Sequence, residues 1–164
     1  MTKPAPRPLA GRWLAAILLS GIPLGLLWWL LAPTGLNLLS GDPALASGTN
    51  PNGWLPRDLV LAGLFLLAGC LTGMLLCGKG TDGPSTRNLV LAVAAGALGA
   101  LIAWRVGILA GEWWGPAEDT SANASIAFSL RSYPVLVIWP AATALAVFVV
   151  NLRSLLRRAP TPAA

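Results

Sequence analysis

The chain of 164 residues contains no histidine, only two cysteines and only six carboxylates, and charged residues make up 10% of it. Each scarcity closes off a class of protein. Without histidine there is no zinc-protease helix, no His-ligated haem and no imidazole base for a serine nucleophile; no Gly-x-Ser-x-Gly elbow occurs either. Intramembrane proton relays are built from chains of Asp, Glu or His. Here no long apolar run carries an Asp or Glu in its middle. No catalytic residue, cofactor or metal ligand is therefore expected, and the chain reads as non-enzymatic. Cys70 and Cys77 both fall inside one apolar run, which rules out a disulfide framework; seven residues apart, they share a helix face as small apolar fillers. Soluble domains carry about 25% charged residues, so the low charge excludes a water-dispersed globule with this much apolar surface.

What the chain does contain is hydrophobic sequence, 55% of all residues, together with 18 Gly, 14 Pro and 8 Trp. Four runs, 13–32, 59–78, 89–110 and 133–150, reach the roughly 20 residues needed to cross about 30 Å of hydrocarbon as a helix. Only the third contains a charge, Arg105. A membrane-spanning backbone must satisfy its own hydrogen bonds, so the expected fold is all-α: a four-helix transmembrane bundle over 13–152, between tails at 1–12 and 153–164. The first run is too long for the hydrophobic core of a signal peptide, although Ala44-Leu45-Ala46 resembles a cleavage site; it reads as a retained anchor.

The net charge of +5 arises from cations that flank these runs, with no basic, aromatic-studded groove in a polar background, so nucleic acid is not expected as a partner. Their placement instead sets an orientation. Lys3, Arg7, Arg12, Lys79, Arg87, Arg153, Arg157 and Arg158 fall on one side, against Arg57 and Arg131 on the other beside Asp42, Asp58, Glu112, Glu118 and Asp119. Because Lys and Arg are retained inside, both termini are expected in the cytoplasm, with two external loops at about 33–57 and 111–132. Residues 124–130 alternate apolar and polar and allow short strand pairing in the second loop. The Gly-rich link at 78–87 does not match a phosphate loop and reads as a tight reversal.

Small residues recur at fourfold spacing where embedded helices can approach closely. Gly99, Ala103, Gly107 and Gly111 form one ridge on the third helix, flanked by Ala92, Gly96 and Ala100. Gly69 and Gly73 repeat the spacing on the second helix, and Gly21 and Gly25 on the first. These residues are expected to face other helices. Trp13, Trp28, Trp29, Trp113 and Trp114 lie near span ends, as in an aromatic belt. Pro23 and Pro140 each remove a backbone hydrogen bond and can kink their helices. Arg105 needs either solvation or a partner in lipid. It can snorkel to the external headgroups or pair with Asp58, which opens the second helix at matching depth.

The stretch Gly21-Ile22-Pro23-Leu24-Gly25-Leu26-Leu27-Trp28-Trp29-Leu30-Leu31-Ala32-Pro33, with Gly96 to Arg105, Leu130-Arg131-Ser132-Tyr133 and Trp139-Pro140, resembles an uncharacterised family of small actinobacterial four-helix integral membrane proteins. The resemblance covers most of the chain. It implies an actinobacterial plasma membrane and supplies no activity. The sequence thus leads to a multi-pass protein acting through helix contacts or external loops. Its expected partners are membrane lipid and other membrane proteins or further copies of itself. A small transporter or channel subunit, in which an oligomer lines a path with Arg105, is the alternative.

Overall fold

Runs of uncharged residues that must satisfy their own backbone groups become helices, and a computed structural model, which describes residues 11–32, 54–78, 84–114 and 130–158, is all-helical across them. Among the described residues four helices are long and apolar enough to cross a membrane: Gly11–Leu31, Leu55–Cys77, Thr86–Trp114 and Tyr133–Arg157. The strand pairing expected at 124–129 and most of both loops lie outside the described residues.

The first span has two parts, α1 (Gly11–Leu19) and α2 (Gly21–Leu31). Pro23 offers no N–H to the carbonyl of Leu19, and the helix is interrupted one residue later, at Ser20. The register survives because Ser20 N–H donates to Ala16 O (3.0 Å) and Leu24 N–H to Ser20 O (3.3 Å). The Ser20 hydroxyl donates to Ile17 O at 2.6 Å.

The second span, α3 (Trp54–Cys77), begins five residues before the expected start at Leu59. Pro56 is tolerated there because first-turn amides have no intrahelical acceptor. The third, α4 (Thr86–Trp114), is also longer than its apolar run, capped by Ser85, whose hydroxyl accepts from Asn88 N–H at 3.3 Å. The fourth opens as a 3₁₀ turn, Tyr133–Val137, and becomes α5 (Ile138–Arg158) around Pro140. Its helix passes the expected end at Val150, since Leu152, Leu155, Leu156 and the intervening arginines are good helix formers with no Gly or Pro among them.

Alternate spans pair, and they pair in parallel. Gly21 lies on the backbone of Gly99, Gly25 on the carbonyl of Ala103, and Gly107 under the ring of Trp28. Both numbers rise together along that contact. On the other side of the bundle, a Cβ at Gly69 would sit 2.6 Å from Ala142 Cβ, and one at Gly73 2.6 Å from Ala146 Cβ, which makes α3 and α5 parallel in the same way. Small-residue ridges of this type let backbones approach where lipid provides no hydrophobic drive. The two pairs are joined by Trp139 of α5, whose ring lies against Gly96 and Gly99 of α4.

Candidate functional site

At one end of the bundle three spans converge near the start of α3. Arg57 and Asp58 are both 2% exposed there. Asp58 Oδ2 accepts from the backbone N–H of Ser132 (2.8 Å) and Arg131 (3.2 Å), and Oδ1 lies 3.7 Å from Arg57 Nε. Trp28, fully buried, donates its indole N–H to Arg57 O at 3.0 Å. The first, second and fourth spans are thereby tied together through one dipeptide. With its partners supplied by neighbouring protein groups, this carboxylate is suited to clamping helices.

Arg105 is not part of this cluster. It lies exposed with its guanidinium 4.6 Å from the ring centroid of Trp104, and Trp104 in turn meets Tyr133 edge-on at 5.9 Å. The structure does not bring Arg105 and Asp58 together; among the described residues, the ion pair of Asp58 is with Arg57. The reason is helical register. Arg105 is two residues, or about 200°, from Ala103 and from Gly107, so burying the small-residue ridge turns it outward.

The packing residues fall on the helix contacts. Gly69 and Gly73 lie on α5; Gly99, Ala103 and Gly107 are buried between α4 and the first span, and Trp139 touches Gly99 as well. Trp28 departs from the aromatic-belt reading: it fills the notch at Gly107 and does not project to headgroups. Trp13, Trp113 and Trp114 are exposed, whereas Trp29 is half-buried and meets Trp114 at a tilt, with ring centroids 5.9 Å apart.

Towards the other end the first and second spans separate. Between them runs an open apolar groove of about 450 Å³, bordered by Ala16, Ser20 and Leu27 on one wall and Leu64, Leu71 and Leu75 on the other. Trp139 and Thr72 form its floor. Trp139 donates its indole N–H to Thr72 Oγ1 (3.3 Å), and Thr72 donates its hydroxyl to Ala68 O (2.7 Å). With Ser20 bonded to Ile17 O, the hydroxyls and the indole N–H in this groove are all engaged inside the protein.

Among the described residues no group of three or more His, Cys, Asp or Glu side chains gathers that could hold a metal ion. Cys70 and Cys77 are free thiols, each half-buried.

Sequence reasoning did not single out the Trp139–Thr72 bond or the groove above it. One signal was available. A Trp in the middle of an apolar run needs a partner for its N–H, and Thr72 is a hydroxyl inside the facing run. Comparison with family models, with curated proteins and with solved structures gives no match for this chain.

Proposed function

We propose that this chain is a multi-pass plasma-membrane protein, non-enzymatic, with both termini in the cytoplasm, that works through contacts of its lipid-facing surface with lipid and other membrane proteins. One observation carries the reading. The inward faces close on each other around Trp28 and Trp139, while large apolar side chains, among them Leu66 (50% exposed), Leu98 (53%), Leu145 (61%) and Phe148 (60%), point outward along the spans. Such a surface belongs in hydrocarbon or against another apolar surface. The orientation rests on the eight basic residues that share one side of the four spans, against Arg57 and Arg131 on the other.

Reporter fusions at each terminus, combined with carbonate extraction, test location and orientation. The expected result is a carbonate-resistant chain with both reporters inside; an external terminus or a chain that washes off overturns the reading. Crosslinking in intact membranes followed by purification in mild detergent tests the contacts, with adducts to lipid or membrane proteins expected. Recovery of bare, lipid-free monomer alone counts against them.

A further inference from the structure

The groove between the first and second spans has a length, a chemistry and a charge at one end. Its walls run from Ala16 to Leu27 and from Leu64 to Leu75, about 16 Å at 1.5 Å rise per residue. That is about half of the roughly 30 Å of hydrocarbon, centred on the middle of the first span, Gly11–Leu31. At its inner limit the groove stops where Trp28 and Arg57 bind the two spans together, so a transmembrane helix, which needs the whole thickness, does not fit along it. The paired polar groups on its floor leave no free donor for a polar solute. At its mouth stands Arg12, exposed, one helical turn before Ala16 and on the same face as Ala16, Ser20 and Leu27.

We propose that this groove binds one acyl chain of an anionic phospholipid, with the lipid phosphate held by Arg12. The assignment rests on the membrane reading above and specifies the lipid it contacts. A single chain lies between the walls, over the floor formed by Trp139 and Thr72, and the headgroup stays at the membrane surface. The volume of about 450 Å³ falls within the roughly 300–1,000 Å³ typical of small-molecule sites.

Native mass spectrometry of the full chain, purified in mild detergent and titrated with phosphatidylglycerol or phosphatidylcholine of identical chains, tests the assignment. Wild type is expected to retain one phosphatidylglycerol, preferred by about fivefold over phosphatidylcholine, the weight of one basic residue at an anionic surface. Arg12→Gln should remove the preference while leaving chain binding. Ala16→Trp, which fills the groove from an exposed position, should abolish binding of both lipids, whereas Ala15→Trp, exposed on another face, should not. Equal retention of the two lipids by wild type, or retention unchanged in Ala16→Trp, overturns the site. So does loss of lipid on dimerisation, which would make a second copy the occupant. A chain that carbonate strips from membranes fails the underlying reading as well. A carbonate-resistant chain that holds no lipid overturns the groove assignment alone.

Discussion

The two ends of this bundle solve the same problem, holding apolar helices together in an apolar solvent, by different means. At the Asp58 end the contacts are polar and directional: one carboxylate accepts two backbone N–H groups from the start of the fourth span, and the carbonyl beside it accepts the indole of Trp28. At the Arg12 end the second span no longer closes on the first, and the pairs are held by glycine ridges and by Trp139. Lipid competes well for apolar contact and poorly for a buried carboxylate. The polar end should therefore be the rigid one, and the open end the one that exchanges contacts with its surroundings.

The strongest way to break that contrast is to remove the clamp. Asp58→Ala leaves Arg57 buried without its ion pair and two amides of the fourth span without their acceptor, and breaking a buried pair in this way costs about 3–5 kcal/mol. We expect the unfolding midpoint in SDS titration of the detergent-solubilised chain to fall accordingly. We also expect hydrogen exchange at 131–135 to accelerate more than at 64–75. Uniform acceleration along all four spans would show that the two ends are not mechanically distinct.

Next in size is the ridge that both ends share. In Gly25→Leu the added side chain meets the carbonyl of Ala103, which can move only with its helix, and overpacking of this kind costs about 1–3 kcal/mol. Gly63 has open space around its Cβ position, so Gly63→Leu should change the midpoint little. If the two substitutions proved equivalent, close approach of the first and third spans would not be what stabilises the pair.

A smaller effect is expected at the floor of the open end. Trp139→Phe keeps an aromatic ring near Gly96 and Gly99 but removes the bond to Thr72 Oγ1. Interhelical hydrogen bonds in membranes average about 0.6 kcal/mol, and the lost ring volume adds to this, so a total of about 1 kcal/mol is expected in the same titration. Trp139→Phe with Thr72→Val should then cost no more than the sum of the two single changes.

Much of this fold was legible in the chain before any coordinates, for a simple reason. Hydrophobic length and the absence of charge determine where helices lie, and both are local properties. The bounds shifted outward because Pro56, Ser85 and the Leu-Arg stretch after Val150 extend helices by capping and propensity, which a hydropathy threshold does not register. Pairing is different. Gly21-x-x-x-Gly25 and Gly99-x-x-x-Ala103 show that each span has a close-approach face, yet nothing in the spacing says which faces meet. That consecutive spans would pack less closely than alternate ones depends on side chains far apart in sequence, above all Trp28 at Gly107 and Trp139 at Gly96. The Asp58 cluster was half legible: the carboxylate stood out as an ion-pair candidate for Arg105, but its partners are the neighbouring arginine and two backbone amides, and an amide leaves no mark in a sequence.

The mildest prediction separates the two arginines that could have served Asp58. Arg57 is 2% exposed and within ion-pair distance; Arg105 faces outward over Trp104. A cation over an aromatic face contributes about 0.5–1 kcal/mol at an exposed site. In lipid, Arg105→Leu also removes the cost of carrying a charge at that depth, so the two effects oppose and a net change below about 0.5 kcal/mol is expected. More telling than the size is the coupling. Changes that share no partner add to within about 0.3–0.5 kcal/mol, so Arg105→Leu with Asp58→Asn should equal the sum of its parts, whereas Arg57→Met with Asp58→Asn should fall well short of its sum. A coupling between Arg105 and Asp58 as large as that between Arg57 and Asp58 would mean that the clamp extends to the lipid-facing surface, and the division between a polar, internally held end and an open, lipid-facing one would fail.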